Sequence, residues 1–232
     1  GVGFFVATLL LSQALAGISQ PKSAGPDTAM DVGLRILQHY DIVAAAALDP
    51  DLALAEIDRA SPASDDFIRA EAGKVYSPQR VDFFDRSPEL GKHLWPVPAQ
   101  AMRAEWKDLI LEHPQVYLTH RWAAFRWVFL TPDLAACVPL HVGVEGPAEK
   151  IAALKLTAGA DLADQAVYSY AVRFFGTPVY SHLSYAVIAV LVAGLLLLRR
   201  DPADMMVVAL MLSALGFAAS FFVISLACDY RY

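Results

Sequence analysis

Four residues, Asp229-Tyr230-Arg231-Tyr232, follow a stretch from Met205 to Cys228 that carries no charge. Charged groups directly beyond a membrane-grade stretch are costly, and such positions are often functional. A guanidinium is a planar fork that matches phosphate oxygens. Arg231, oriented by Asp229 and flanked by Tyr230, is therefore a candidate ligand for a phosphate at a membrane boundary. The competing reading is a snorkelling Arg between two interfacial tyrosines that only anchors a helix.

A second group of basic residues lies in "PQVYLTHRWAAFRWVFL", residues 114–130. His120, Arg121 and Arg126 alternate there with Tyr117, Trp122, Phe125, Trp127 and Phe129. The stretch is too short and too charged to span a bilayer comfortably. Basic and aromatic residues together suit a helix lying in the headgroup layer. It would either dock the chain to the membrane or bring Arg121 or Arg126 against a lipid phosphate.

Other chemistry has no motif. The six histidines, His39, His93, His113, His120, His141 and His182, have no zinc-protease spacing, and the two cysteines form no C-x-x-C pair. There is no Gly-rich phosphate loop and no G-x-S-x-G. No catalytic residue, metal site or cofactor is identified. Cys137 and Cys228 are too few for a disulfide framework. They read as two separate buried thiols, free to pair only if both face one oxidising compartment.

The elements that must position these groups are apolar runs and a polar segment. The chain is 56% hydrophobic. Residues 1–20, 178–198 and 205–228 are long and apolar enough for three transmembrane helices. The first run also contains Ala14-Leu15-Ala16, which has the form of a signal-peptidase site, but no Met or basic region precedes it. A chain that opens inside an apolar run reads as part of a larger polytopic protein. Of its 24 acids and 18 bases, three of each lie beyond Val179, so 21 acids face 15 bases in the polar segment 21–177. No basic stripe of the kind nucleic acid needs is present. Arg199 and Arg200 sit in the short loop 199–204, and short basic loops stay cytoplasmic. The polar segment and residues 229–232 are then external.

Within that segment, Asp27 or Thr28 is placed to cap a helix through "AMDVGLRILQHYDIVAAAAL". Two short helices follow, the first capped by Asp51 and the second after "SPAS". The proline-broken stretch from Tyr76 to Gln100 is expected to be irregular. A helix from "PAQAM" to His113 turns Met102, Trp106, Leu109 and Ile110 one way and Glu105, Asp108 and Glu112 another. Thr177-Pro178 has the form of a helix start. The fold class expected is all-α, a polytopic membrane fragment with a large, mostly helical external loop.

Two elements resemble one family in order and placement. "LILEHPQVYLTHRWAAFRWVF" resembles the amphipathic external-loop segment of bacterial polytopic glycosyltransferases, and "ISLACDYRY" resembles an Arg/Tyr element at the outer end of one of their late helices. Both are similar to features of the GT-C superfamily, the polyprenyl-phosphate-sugar-dependent class. The resemblance covers about the last 130 residues. It implies a bacterial inner-membrane enzyme transferring a sugar from a polyprenyl-phosphate carrier on the external face, with membrane lipid and that carrier as partners. It implies carrier contacts at Arg231, Asp229, Tyr230, Arg121, Arg126 and His120. In that family the catalytic acid lies in the first external loop, which falls before this chain. A surface-polysaccharide polymerase or ligase component and a non-enzymatic anchored scaffold remain alternatives.

Overall fold

The computed structural model describes residues 29–228 apart from 132, 135, 138 and 139. The expected first span, residues 1–20, and the boundary residues 229–232 lie outside the described residues. Two units are distinguished, Gly1–Ile36 and Leu37–Tyr232. Of the first, only residues 29–36 are described, as the opening of helix α1 (Ala29–Leu48). All other described residues belong to the second unit.

Within the second unit α1 is buried on every side, from Leu37 through Ala46. A helix with no solvent face is a central helix. Short helices surround it: α2 (Ala55–Ala60), α3 (Pro62–Val75), α4 (Pro88–Leu94), α5 (Ala99–Glu112) and α6 (Pro114–Leu130). Ile42, Val43, Ile57, Ile68, Leu90, Leu94, Met102 and Leu109 close one continuous apolar core between them. The described residues form no extended strand, only two isolated β-bridges.

Several boundaries differ from expectation. Asp51 caps nothing: α2 opens at Ala55, after Leu54, whose side chain cannot accept a hydrogen bond. Glu105 of α5 supplies the missing acceptor, taking the amide hydrogens of Glu56 at 2.7 Å and Ile57 at 3.2 Å. Glu105 therefore lies inside rather than on a polar face. The stretch expected to be irregular holds a 3₁₀ turn, Val81–Arg86, and α4, because Pro88 sits in the first helical turn, where its missing N–H costs nothing.

Beyond α6 come α7 (Ala148–Ala153) and α8 (Leu162–Ala171), then two helices of membrane length, α9 (His182–Arg199) and α10 (Met205–Ile224). Both are long and apolar enough to cross a bilayer, α10 together with its preceding turn from Pro202. Thr177-Pro178 starts only a 3₁₀ turn that ends at Tyr180; α9 begins at His182, with Ser181 accepting from the Ser184 amide. Ala189, Ala193 and Val208 are the buried residues of this hairpin. Small side chains let two backbones approach closely. Arg199 ends α9 and pairs with Asp204 at 3.4 Å across the short loop.

The run expected to be helical to Cys228 leaves the helix at Ser225. Residues 226–228 instead form a short antiparallel bridge with 79–81, Val81 donating to the Leu226 carbonyl and Cys228 to that of Gln79, both at 2.8 Å. This extension carries Cys228 to Cys137, and the two form a disulfide with Cα atoms 5.2 Å apart. The expectation of two separate thiols is corrected: 91 residues apart in sequence, they are brought together by the segment that leaves α10.

Candidate functional site

The all-round burial of α1 raises a problem that its sequence states plainly. "QHYDIVAAAA" takes Asp41 into the core, where an unpaired carboxylate is prohibitive. The surrounding helices supply its partners. Trp106 of α5 donates its indole N–H to Asp41 Oδ2 at 2.6 Å. Arg121 of α6 brings Nη2 against Asp41 Oδ1, and His120 Nε2 lies 3.0 Å from the same oxygen, off the line of a regular hydrogen bond. Arg121 is 0%, His120 1% and Asp41 1% exposed.

Three tyrosines complete the enclosure. The Arg121 guanidinium lies 5.9 Å from the ring centres of both Tyr40 and Tyr117. Tyr40 meets the His120 ring edge-on at 4.7 Å and donates its hydroxyl to the Ser77 carbonyl at 2.7 Å. The Tyr76 hydroxyl lies 2.9 Å from His120 Nδ1.

Burial decides the protonation states. It pushes the Tyr76 phenol up to about 12 and raises Tyr40 and Tyr117 as well. Desolvation lowers the His120 imidazole below its ordinary value, and the contact with Asp41 only partly opposes this. A tyrosine that keeps its proton donates to Nδ1, which leaves the Nε2 proton of a neutral His120 turned toward Asp41. The cluster is then one ion pair with neutral neighbours. Breaking such a buried pair costs about 3–5 kcal/mol, because the remaining charge is stranded.

The cluster reaches the end of α10. Arg121 Nη1 donates to the Ser225 carbonyl at 2.9 Å, the residue at which the chain leaves the helix. Phe125 of α6 packs on Phe222 of α10 at 5.8 Å. Arg121 thus ties the central helix, α6 and the exit of α10 together.

Of the residues singled out in the sequence, the structure brings His120 and Arg121 together, but inside the protein. Arg121 faces a carboxylate and a carbonyl where a headgroup phosphate was expected, and α6 buries Tyr117, His120, Arg121 and Ala124. Arg126 is exposed and stands apart from the cluster. Asp229, Tyr230 and Arg231 lie outside the described residues. The sequence reading missed Asp41, Trp106, Tyr40 and Tyr76. The signal that could have found them was an acid in the middle of an apolar helical run. Among the described residues, no group of three or more His, Cys, Asp or Glu side chains is arranged to hold a metal ion. No family model matches the chain, no curated protein matches its sequence and no solved structure matches its fold.

Proposed function

We propose that the chain is the carrier-facing part of a bacterial inner-membrane glycosyltransferase of the polyprenyl-phosphate-sugar-dependent class, with its helical segment in the periplasm. The observation that supports this best is the clasp on Ser225–Cys228. Directly beyond a helix of membrane length, the chain is held by a β-bridge, by Arg121 and by a disulfide. A disulfide suits an oxidising compartment outside the cytoplasm. The short loop with Arg199 and Arg200 suits the cytoplasmic side. Such a clasp gives a fixed starting point to the next four residues, Asp229-Tyr230-Arg231-Tyr232, which carry the phosphate-binding proposal. Arg121 and His120 then serve as positioning residues, and Arg231 as the phosphate ligand. The first run, residues 1–20, is the third span of this reading.

One observation favours a non-enzymatic anchored scaffold: the Asp41–His120–Arg121 cluster is closed on itself and faces no open surface. The two readings separate by binding. The protein in phosphatidylcholine nanodiscs is titrated with a polyprenyl phosphate and with the matching polyprenol. Saturable binding of the phosphate alone is expected. Arg231→Ala should lose about 1.5–3 kcal/mol of that binding, as for a hydrogen bond to a charged group. Arg231→Lys should not restore it, since Lys lacks the planar fork. Equal binding of phosphate and alcohol, or full rescue by Lys, overturns the carrier role.

A further inference from the structure

Helix α8 (Leu162–Ala171) buries none of its ten residues. Leu162 is 84%, Tyr170 63% and Val167 55% exposed. These are not scattered. At helical spacing Leu162, Ala166 and Tyr170 form one row, and Ala163, Val167 and Ala171 the adjacent row. Asp164, Gln165, Tyr168 and Ser169 take the opposite half. The helix is therefore amphipathic, and its apolar half is uncovered by the described chain.

A helix of this length is marginal in water without packing. Its start is well made: Asp161 accepts from the Asp164 amide at 2.8 Å, and Asp164 accepts from the Asp161 amide at 3.0 Å. Such a capping box supplies about 1 kcal/mol, which does not replace an apolar contact. The residues between α8 and α9 point to the nature of that contact. The chain passes through Tyr170 on Phe174 and Phe175 on Tyr180, each pair with ring centres 5.2 Å apart. Gly176, at φ +72, makes the turn, and α9 begins at His182. α8 thus leads, through a run of aromatics, into the first helix of membrane length. Tyrosines suit the membrane–water boundary.

We propose that α8 lies in the plane of the lipid interface, its Leu162–Val167–Tyr170 half seated at the headgroup–acyl boundary beside the entry of α9. The only base in or adjoining the helix is Arg173, against Asp161 and Asp164. The attraction is therefore apolar, and it requires no anionic lipid. Where α6 buries Tyr117, His120, Arg121 and Ala124 against the core, α8 buries no residue. This inference rests on the chain being membrane-embedded and is independent of any glycosyltransferase activity.

Both native cysteines are bridged, so an added one can be labelled alone. The full chain is placed in phosphatidylcholine vesicles with a nitroxide at Val167→Cys, at Gln165→Cys on the polar half, or at Leu191→Cys in α9. Collisions with oxygen, which concentrates in lipid, are compared with those of a water-soluble nickel chelate. Val167 should favour oxygen, as Leu191 does, while Gln165 favours nickel, and molar salt should change none of these. Nickel access at Val167 with a lipid-exposed Leu191 overturns the seating of α8 alone. Shielding of Val167 from both reagents overturns it in favour of a protein cover, a second copy included. Nickel access at Leu191 overturns membrane embedding itself.

Discussion

Asp41 sits one residue after Tyr40 and one before Ile42, in a stretch where every neighbour is buried. Its carboxylate is tolerated because Trp106, Arg121 and His120 converge on it. That convergence has a pH signature. His120 is neutral in the folded protein, with a value lowered by desolvation, whereas an unfolded histidine titrates near 6.5. Above about pH 6.5 neither state binds the proton and the group adds no slope. Below it the unfolded chain binds one proton more, so stability falls as pH falls toward the folded value. The slope from this group is at most about 1.4 kcal/mol per pH unit. Urea unfolding of the detergent-solubilised protein between pH 7.5 and 5.5 should show the decline, and His120→Gln should flatten it. Equal slopes in the two proteins would mean that His120 binds its proton equally in the folded and unfolded states.

Helices were legible where one signal sufficed. The prolines and periodicity of residues 29–48, 99–112 and 114–130 are local, and those segments are helical; the cap expected at Asp27 or Thr28 lies outside the described residues. Contacts that cross the molecule were not legible. α2 is the clearest case, since no residue at its own N-terminus caps it. Its acceptor is Glu105, 49 residues from Glu56, and charge alone made Glu105 look like a surface residue. The same blindness hid Asp41's partners, and it turned Arg121 outward in the sequence reading. A guanidinium in an aromatic helix suits a lipid phosphate and a buried carboxylate equally well, and only the fold chooses. At this scale Glu105→Ala should cost about 1–3 kcal/mol by leaving two amide hydrogens unpaired. Glu105→Gln, which keeps an acceptor, should cost clearly less. Chemical denaturation of the two variants compares them, and equal losses would show that Glu105 acts through its charge instead.

For the whole second unit, the disulfide and the hairpin together constrain topology. Cys137 and Cys228 are bonded, so residue 137 and the exit of α10 share one side of any membrane that α10 crosses. The twenty residues of α10 measure about 30 Å at 1.5 Å per residue, the thickness of a hydrocarbon core. The loop that follows Arg199 must then lie on the opposite side, which is the cytoplasmic side in the orientation proposed from Arg199 and Arg200. The native cysteines are paired and give no background to a thiol reagent. Ala203→Cys lies in the exposed loop, and Ala63→Cys lies at an exposed position in the first turn of α3. In intact cells a membrane-impermeant maleimide should label Ala63→Cys and leave Ala203→Cys untouched until the membrane is opened. The reverse pattern would invert the orientation and put the disulfide in a reducing compartment, where such bonds are rare. Labelling of both in intact cells would show that the hairpin of α9 and α10 does not span the membrane, and with it the external placement of the Arg121 clasp would fall.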